Sequence, residues 1–166
     1  MRLIIIFLGL FFINLEAKNQ PNFVLILIDD LGLTDLEPFG GEISTPNINS
    51  LAQRGLMFTN YHTSPECAPS RAMLLTGMDN HKTGIPMIPE VLPRNLRKNK
   101  GYEGYLIPEA LTIAEVLKKS GYRTYMTGKW HLGFGGEHKP SLPINRGFDQ
   151  TFILDATGGD NYSNHS

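Results

Sequence analysis

A chain of 166 residues with 15 Lys and Arg against 16 Asp and Glu carries a net charge of −1. That excludes the basic face of an electrostatic nucleic-acid binder. Hydrophobic residues at 41% and charged residues at 19% exclude a disordered chain, and a single cysteine excludes a disulfide framework or a paired-cysteine zinc site.

The first 17 residues read as an export signal. Arg2 gives a positive start, residues 3–15 are apolar apart from Gly9 and Asn14, and Ala17 offers a small residue for cleavage. The apolar stretch is shorter than the roughly 20 residues a spanning helix needs, so stable membrane insertion is not expected. The alternative is a buried first element. Export places the mature chain, residues 18–166, in a secreted or periplasmic and oxidising setting, where a lone cysteine is unusual.

Residues 23–28, Phe-Val-Leu-Ile-Leu-Ile, form a short apolar run that reads as a central strand of a parallel sheet and ends at Asp29-Asp30. Thr45-Pro46 opens a helix that Gly55 closes. Residues 57–61 read as a short strand, and residues 67–77 as a turn leading into a helix that ends at Gly77. Residues 84–108, with four prolines, predict a long surface loop carrying Arg94, Arg97, Lys98 and Lys100. This cluster is read as solvated, the sharper alternative being a rim for anionic substrates. Thr112-Ile-Ala-Glu115 is a capping box for a helix ending at Gly121, and residues 122–127 form a strand that leads into Lys129, Trp130 and His131. The alternation predicts an α/β fold, whose ligand sites lie beyond the carboxyl ends of the strands. Asp29/Asp30 and Lys129/His131 both fall at such ends.

Three groups carry the candidate chemistry. Asp29-Asp30 places adjacent carboxylates after a buried strand. Either a hard cation such as Ca²⁺ or Mg²⁺ relieves their repulsion, or they form an exposed turn with an Asp cap. Cys67 precedes a helix whose N–H groups favour negative charge, and Arg71 lies one turn later on the same side. That spacing makes either an anion pocket around a modifiable side chain or a buried thiol beside a structural Arg. Trp130 reads as a packing residue bracing the Lys129–His131 segment. His62, His81, His138 and His165 show no metal-type spacing.

The run Cys67-Ala68-Pro69-Ser70-Arg71-Ala72-Met73-Leu74-Leu75-Thr76-Gly77 resembles the signature of the type I sulfatases. Residues 22–32 resemble that family's first strand and metal pair, residues 45–61 its first helix and following strand, and Gly128-Lys129-Trp130-His131-Leu132-Gly133 its second signature. Residues 78–81 and 101–106 resemble the bacterial arylsulfatase-like branch. The resemblance implies an alkaline phosphatase-like fold, a central sheet sandwiched by helices, incomplete in this chain.

It also implies roles. Asp29, Asp30 and residue 67 become ligands of calcium or magnesium. Cys67 becomes formylglycine through a maturation enzyme that reads the motif, including Ser70. Arg71 holds the aldehyde hydrate, Lys129 binds sulfate, and His131 partners the hydrate hydroxyls. In that family one hydroxyl of the hydrate attacks sulfur and expels the alcohol, and the second then collapses to the aldehyde and ejects sulfate. A serine, with one oxygen, lacks the second step.

The function implied is hydrolysis of sulfate esters of small molecules or carbohydrates. The alternatives are a phosphodiester or phosphonate monoester hydrolase of the same superfamily, or an inactive remnant. The family site also draws a second Asp/Asn pair, His and Lys from later residues. Residues 18–166 therefore read as the N-terminal portion of a sulfatase catalytic domain, expected by itself to bind metal weakly, fold partially and turn over little.

Overall fold

The computed structural model describes residues 20–133 and 140–154. The export signal lies outside them. Among the described residues, four α-helices and two strands follow in chain order: α1 (Pro46–Arg54), α2 (Cys67–Thr76), α3 (Asn80–Thr83), α4 (Ile113–Lys119), β1 (Tyr125–Lys129) and β2 (Gln150–Leu154). The strands pair in parallel, from Tyr125 opposite Gln150 to Lys129 opposite Leu154. The architecture is the expected α/β class, with a central sheet of two strands among the described residues.

The helices follow their local signals. Pro46 occupies the first helical position of α1, where its missing N–H costs nothing, and the Gly55 N–H closes the last turn on the Leu51 carbonyl at 2.8 Å. Thr45 does not cap α1 with its hydroxyl. Glu37 takes Thr45 over, its N–H donating to Oγ1 at 3.2 Å and its carboxylate accepting from the Thr45 N–H at 2.8 Å. In α2, Pro69 sits in the first turn, where helical N–H groups have no partner to lose. Gly77 ends α2 in the left-handed region at φ 67°. The capping box of α4 is complete: the Glu115 N–H donates to Thr112 Oγ1 at 3.1 Å, and the Thr112 N–H donates to Glu115 Oε2 at 2.7 Å.

Four further expectations are corrected. Residues 23–28 form no strand and lie exposed. The segment runs beside β1, since Gln20 Nε2 donates to the Ser120 carbonyl, the Phe23 and Tyr122 rings are 5.6 Å apart, and Asp29 meets Lys129, yet no ladder joins them. A run apolar on both faces becomes a central strand only with pairing neighbours and covered faces, and the described residues offer a two-stranded sheet. Residues 57–61 are likewise exposed and unpaired in sheet. Residues 84–108 hold no regular element, as predicted, but they are not simply a surface loop. Ile85, Leu92 and Leu106 are buried, and the Leu106 N–H donates to the Leu132 carbonyl at 2.8 Å. The strand predicted over 122–127 begins and ends slightly later, at Tyr125–Lys129.

The core therefore lies under α2, α4 and this loop. It comprises Ala68, Ala72, Ile85, Leu106, Ala110, Ala114, Trp130, Leu132 and Phe148. Trp130 is buried as expected of a brace. Its indole N–H donates to the Ser141 carbonyl at 2.9 Å, and its ring meets Phe148 edge to face at 6.1 Å. Gly147, at φ 93°, lies against the first turn of α4 so closely that a Cβ would overlap the Glu115 backbone nitrogen. That contact seats Arg146 under α4, where its guanidinium donates to the carbonyls of Leu106, Ile107 and Ala110 and to Glu115 Oε2.

Burial pushes the Glu115 carboxyl up, but the Thr112 N–H and the Arg146 guanidinium outweigh it, so its pKa lies below the ordinary 4.5. A depressed carboxylate contributes stability that is present above the unfolded pKa and lost as pH falls through the folded one. Urea midpoints measured from pH 7 down to about 3 are expected to fall in the wild type. The fall should be smaller in Glu115→Gln, and equal slopes would refute the contribution.

Candidate active site

Asp29 ends the extended segment beside β1 and holds two cations. Arg71 Nη2 donates to its Oδ1 at 3.0 Å and Lys129 Nζ to its Oδ2 at 2.8 Å. Arg71 Nη1 also donates to the Lys129 carbonyl at 2.7 Å. The Arg71 and Lys129 side chains are only 8% and 13% exposed, and the Arg71 Nε is buried without a partner. An unspent buried donor on one of two cations that share a carboxylate is a setting in which a further anion can be bound. Partial burial pushes the Asp29 carboxyl up, but hydrogen bonds from Lys129 and Arg71, and then their charges, hold it below the usual range.

Cys67 is the first residue of α2, with its Sγ 3.3 Å from His131 Nδ1. His131 follows β1 by two residues and its side chain is 2% exposed. Both His131 (φ 61°) and Asp30 (φ 55°) adopt the left-handed conformation, which costs a residue with a Cβ about 1–2 kcal/mol. The surroundings must hold these strained backbones in place, and they do so at the two chain segments that carry the candidate charges.

The structure thus joins Asp29, Arg71 and Lys129 in one ion-paired set and Cys67 with His131 in another. α2 carries Cys67 and Arg71 one turn apart, and the residues flanking Trp130 supply Lys129 and His131, so the two sets adjoin. Asp30 is exposed and makes no ion pair among the described residues. Ser70 Oγ donates to the Ser64 carbonyl at 2.8 Å, fixing the turn before α2. His62 pairs with Asn60 and His81 with Asp79, apart from this centre.

The donors at the expected cation site are few. Asp29 and Asp30 are hard carboxylates of the right chemistry, but both Asp29 oxygens already hold cationic side chains. Among the described residues no three His, Cys, Asp or Glu side chains are placed so that together they could hold a metal ion. Two carboxylates fall short of the six or more oxygens that calcium or magnesium gathers. The residues present do not by themselves fit the ion.

Sequence reasoning missed Glu90, whose Oε2 lies 3.1 Å from His131 Nε2. No periodicity or motif links an acid in a proline-rich loop to a histidine 41 residues later. Of the basic loop residues, Arg97 is anchored to the Pro89 carbonyl at 2.6 Å, next to Glu90.

The profile of the family described as Sulfatase matches residues 21–166. An uncharacterized sulfatase of Schizosaccharomyces pombe is 44% identical over 154 residues, covering 90% of this chain and 27% of the relative. Arylsulfatase of Klebsiella aerogenes is 40% identical over 146 residues (88% and 30%), and arylsulfatase A of Homo sapiens is 46% identical over 137 residues (81% and 25%). The crystal structure of Ps i-CgsB superposes on 78% of this chain and 27% of its own, with a TM-score of 0.64 and 34% identity. The same protein, at 32% identity and the same TM-score, has been solved in complex with k-i-k-neocarrahexaose. The chain spans about a quarter to a third of the length of the curated relatives it matches.

Proposed function

Because the chain belongs to the sulfatase family, we propose that its residues serve a sulfate ester hydrolase in which residue 67, oxidised to formylglycine, is the nucleophile. The observation that carries this reading is the position of Cys67, which opens α2 with its Sγ 3.3 Å from His131, beside the cations Arg71 and Lys129. When formed, the aldehyde hydrate supplies two oxygens on one carbon, one to attack sulfur and one to drive sulfate off. Arg71 and Lys129 bind the anionic sulfate and offset the charge that grows on its oxygens as the ester bond breaks. They are already desolvated and fixed by Asp29, so little reorganisation is needed during reaction. His131 Nδ1 faces residue 67 and takes or returns a proton there. The chemistry of residues 67, 71, 129 and 131 is carried here without a metal, since the donors among the described residues do not complete a site.

A sulfated carbohydrate fits as substrate class, supported by the oligosaccharide complex of Ps i-CgsB. The apolar leader at residues 3–15 supports export to a secreted or periplasmic location. No helix among the described residues is long and apolar enough to cross a membrane.

The test is the mass of the Cys67 peptide after expression with and without a formylglycine-generating enzyme. Conversion exchanges sulfur for oxygen and removes two hydrogens. A thiol that stays unoxidised in a competent host overturns the reading. So does a whole protein that cleaves aryl phosphate monoesters or diesters in preference to aryl sulfate.

A further inference from the structure

We propose that Glu90 is a positioning residue that fixes the ring of His131, with Nε2–H donating to the Glu90 carboxylate and the Nδ1 lone pair aimed at residue 67. The proposal rests on the reading of Cys67 and His131 as one site. An ionised carboxylate only accepts hydrogen bonds. With Glu90 Oε2 at 3.1 Å from Nε2, the ring proton sits on Nε2 and Nδ1 is left as an acceptor 3.3 Å from Cys67 Sγ. Nucleophile, histidine and orienting carboxylate then follow in hydrogen-bond sequence, the arrangement by which a third group sets tautomer and aim.

Glu90 is itself held in place. The Ile88 N–H donates at 2.8 Å to Oε2 of Glu66, the residue just before Cys67. Arg97 Nη2 donates to the Pro89 carbonyl at 2.6 Å, and Leu92 is buried at 3% exposure. The segment bearing Glu90 is thus tied to the same turn that starts α2. It spans from the nucleophile's helix to the ring that faces the nucleophile. Without the carboxylate, Nε2 loses its side-chain acceptor, and the hydrogen bond to Cys67 no longer has a partner on the opposite ring nitrogen that selects one tautomer.

The test is long-range proton–nitrogen correlation on His131 at about pH 8, above the ordinary imidazole range. In the wild-type chain the proton is expected on Nε2, shifted downfield and slow to exchange with water. Glu90→Gln, whose amide oxygen accepts the same bond, should keep that resonance. Glu90→Ala should lose it while the backbone amide spectrum is retained, and in the whole protein should lower kcat about 10- to 100-fold at unchanged KM. A wild-type proton on Nδ1, or an equally protected Nε2–H in Glu90→Ala, overturns the proposal. If Glu90→Ala fails to fold, the wild-type tautomer and Glu90→Gln decide it. The sulfatase reading stands or falls separately on the mass of the Cys67 peptide.

Discussion

Cys67→Ser is expected to reduce multiple turnover of an aryl sulfate by the whole protein by on the order of 10⁴-fold or more, the scale seen when a nucleophile is removed from an assembled site. Serine is close in size to cysteine and should sit at the start of α2 without disturbing Ala68, Pro69 or Ala72, which pack the buried side of the first turns. Binding should persist, because Arg71 and Lys129 are fixed by Asp29 rather than by residue 67. The deficit arises from oxygen count. A serine alkoxide can attack sulfur once, but it has no second hydroxyl whose collapse would expel sulfate. The variant is therefore expected to show a single partial turnover and then stop. Its signature is the mass gain of one sulfonate on the peptide that carries the substituted position 67. Sustained turnover in Cys67→Ser would sink the assignment of residue 67.

Arg146→Met is expected to destabilise the folded chain by about 3–5 kcal/mol, the range for removing one partner from a buried charge network. That is a large share of the roughly 5–15 kcal/mol that holds a typical domain. Arg146 is 3% exposed. Its guanidinium satisfies the carbonyls of Leu106, Ile107 and Ala110 and pairs with Glu115, while its own carbonyl accepts from Thr112 Oγ1 at 2.8 Å. Methionine fills much of the volume but donates nothing, so the Leu106 and Ala110 carbonyls lose the guanidinium, while the Ile107 carbonyl keeps only the Ala110 N–H and Glu115 Oε2 only the Thr112 N–H. Arg146→Lys should recover only a fraction, since one ammonium cannot reproduce the planar fork. The damage should spread to the site, because the Leu106 N–H anchors the carbonyl of Leu132, next to His131. Urea unfolding measures the loss. A change below about 1 kcal/mol would mean that water replaces the guanidinium.

How far each feature was legible in the sequence follows the distance over which its causes act. The capping box of α4, the proline that opens α1 and the glycine that closes α2 are written within a few residues of where they act, and each helix formed where its signals lie. Thr45 is the exception, since Glu37 recruited its hydroxyl and left the N-cap role unfilled. The run at 23–28 failed for the opposite reason. Its composition describes a residue environment, buried on both faces, but a strand exists only when other strands supply its hydrogen bonds. The exposed apolar side chains there mark the absence of covering surface among the described residues, not a weak local preference.

The family was legible in the amino-acid order alone, as were Cys67 at the start of α2 and Lys129 at the end of β1, because a long motif specifies residue types in order; the strand expected to end at Asp29 was not. Which groups meet follows from the packed chain. It set Asp29 between Arg71 and Lys129, turned His131 toward Cys67, and brought Glu90 and Arg146 to sites no spacing rule anticipates. Those encounters join residues from 31 to 100 positions apart. They are fixed by how buried charges find partners once the core closes, and that depends on the whole packed shape rather than on any local stretch of chain.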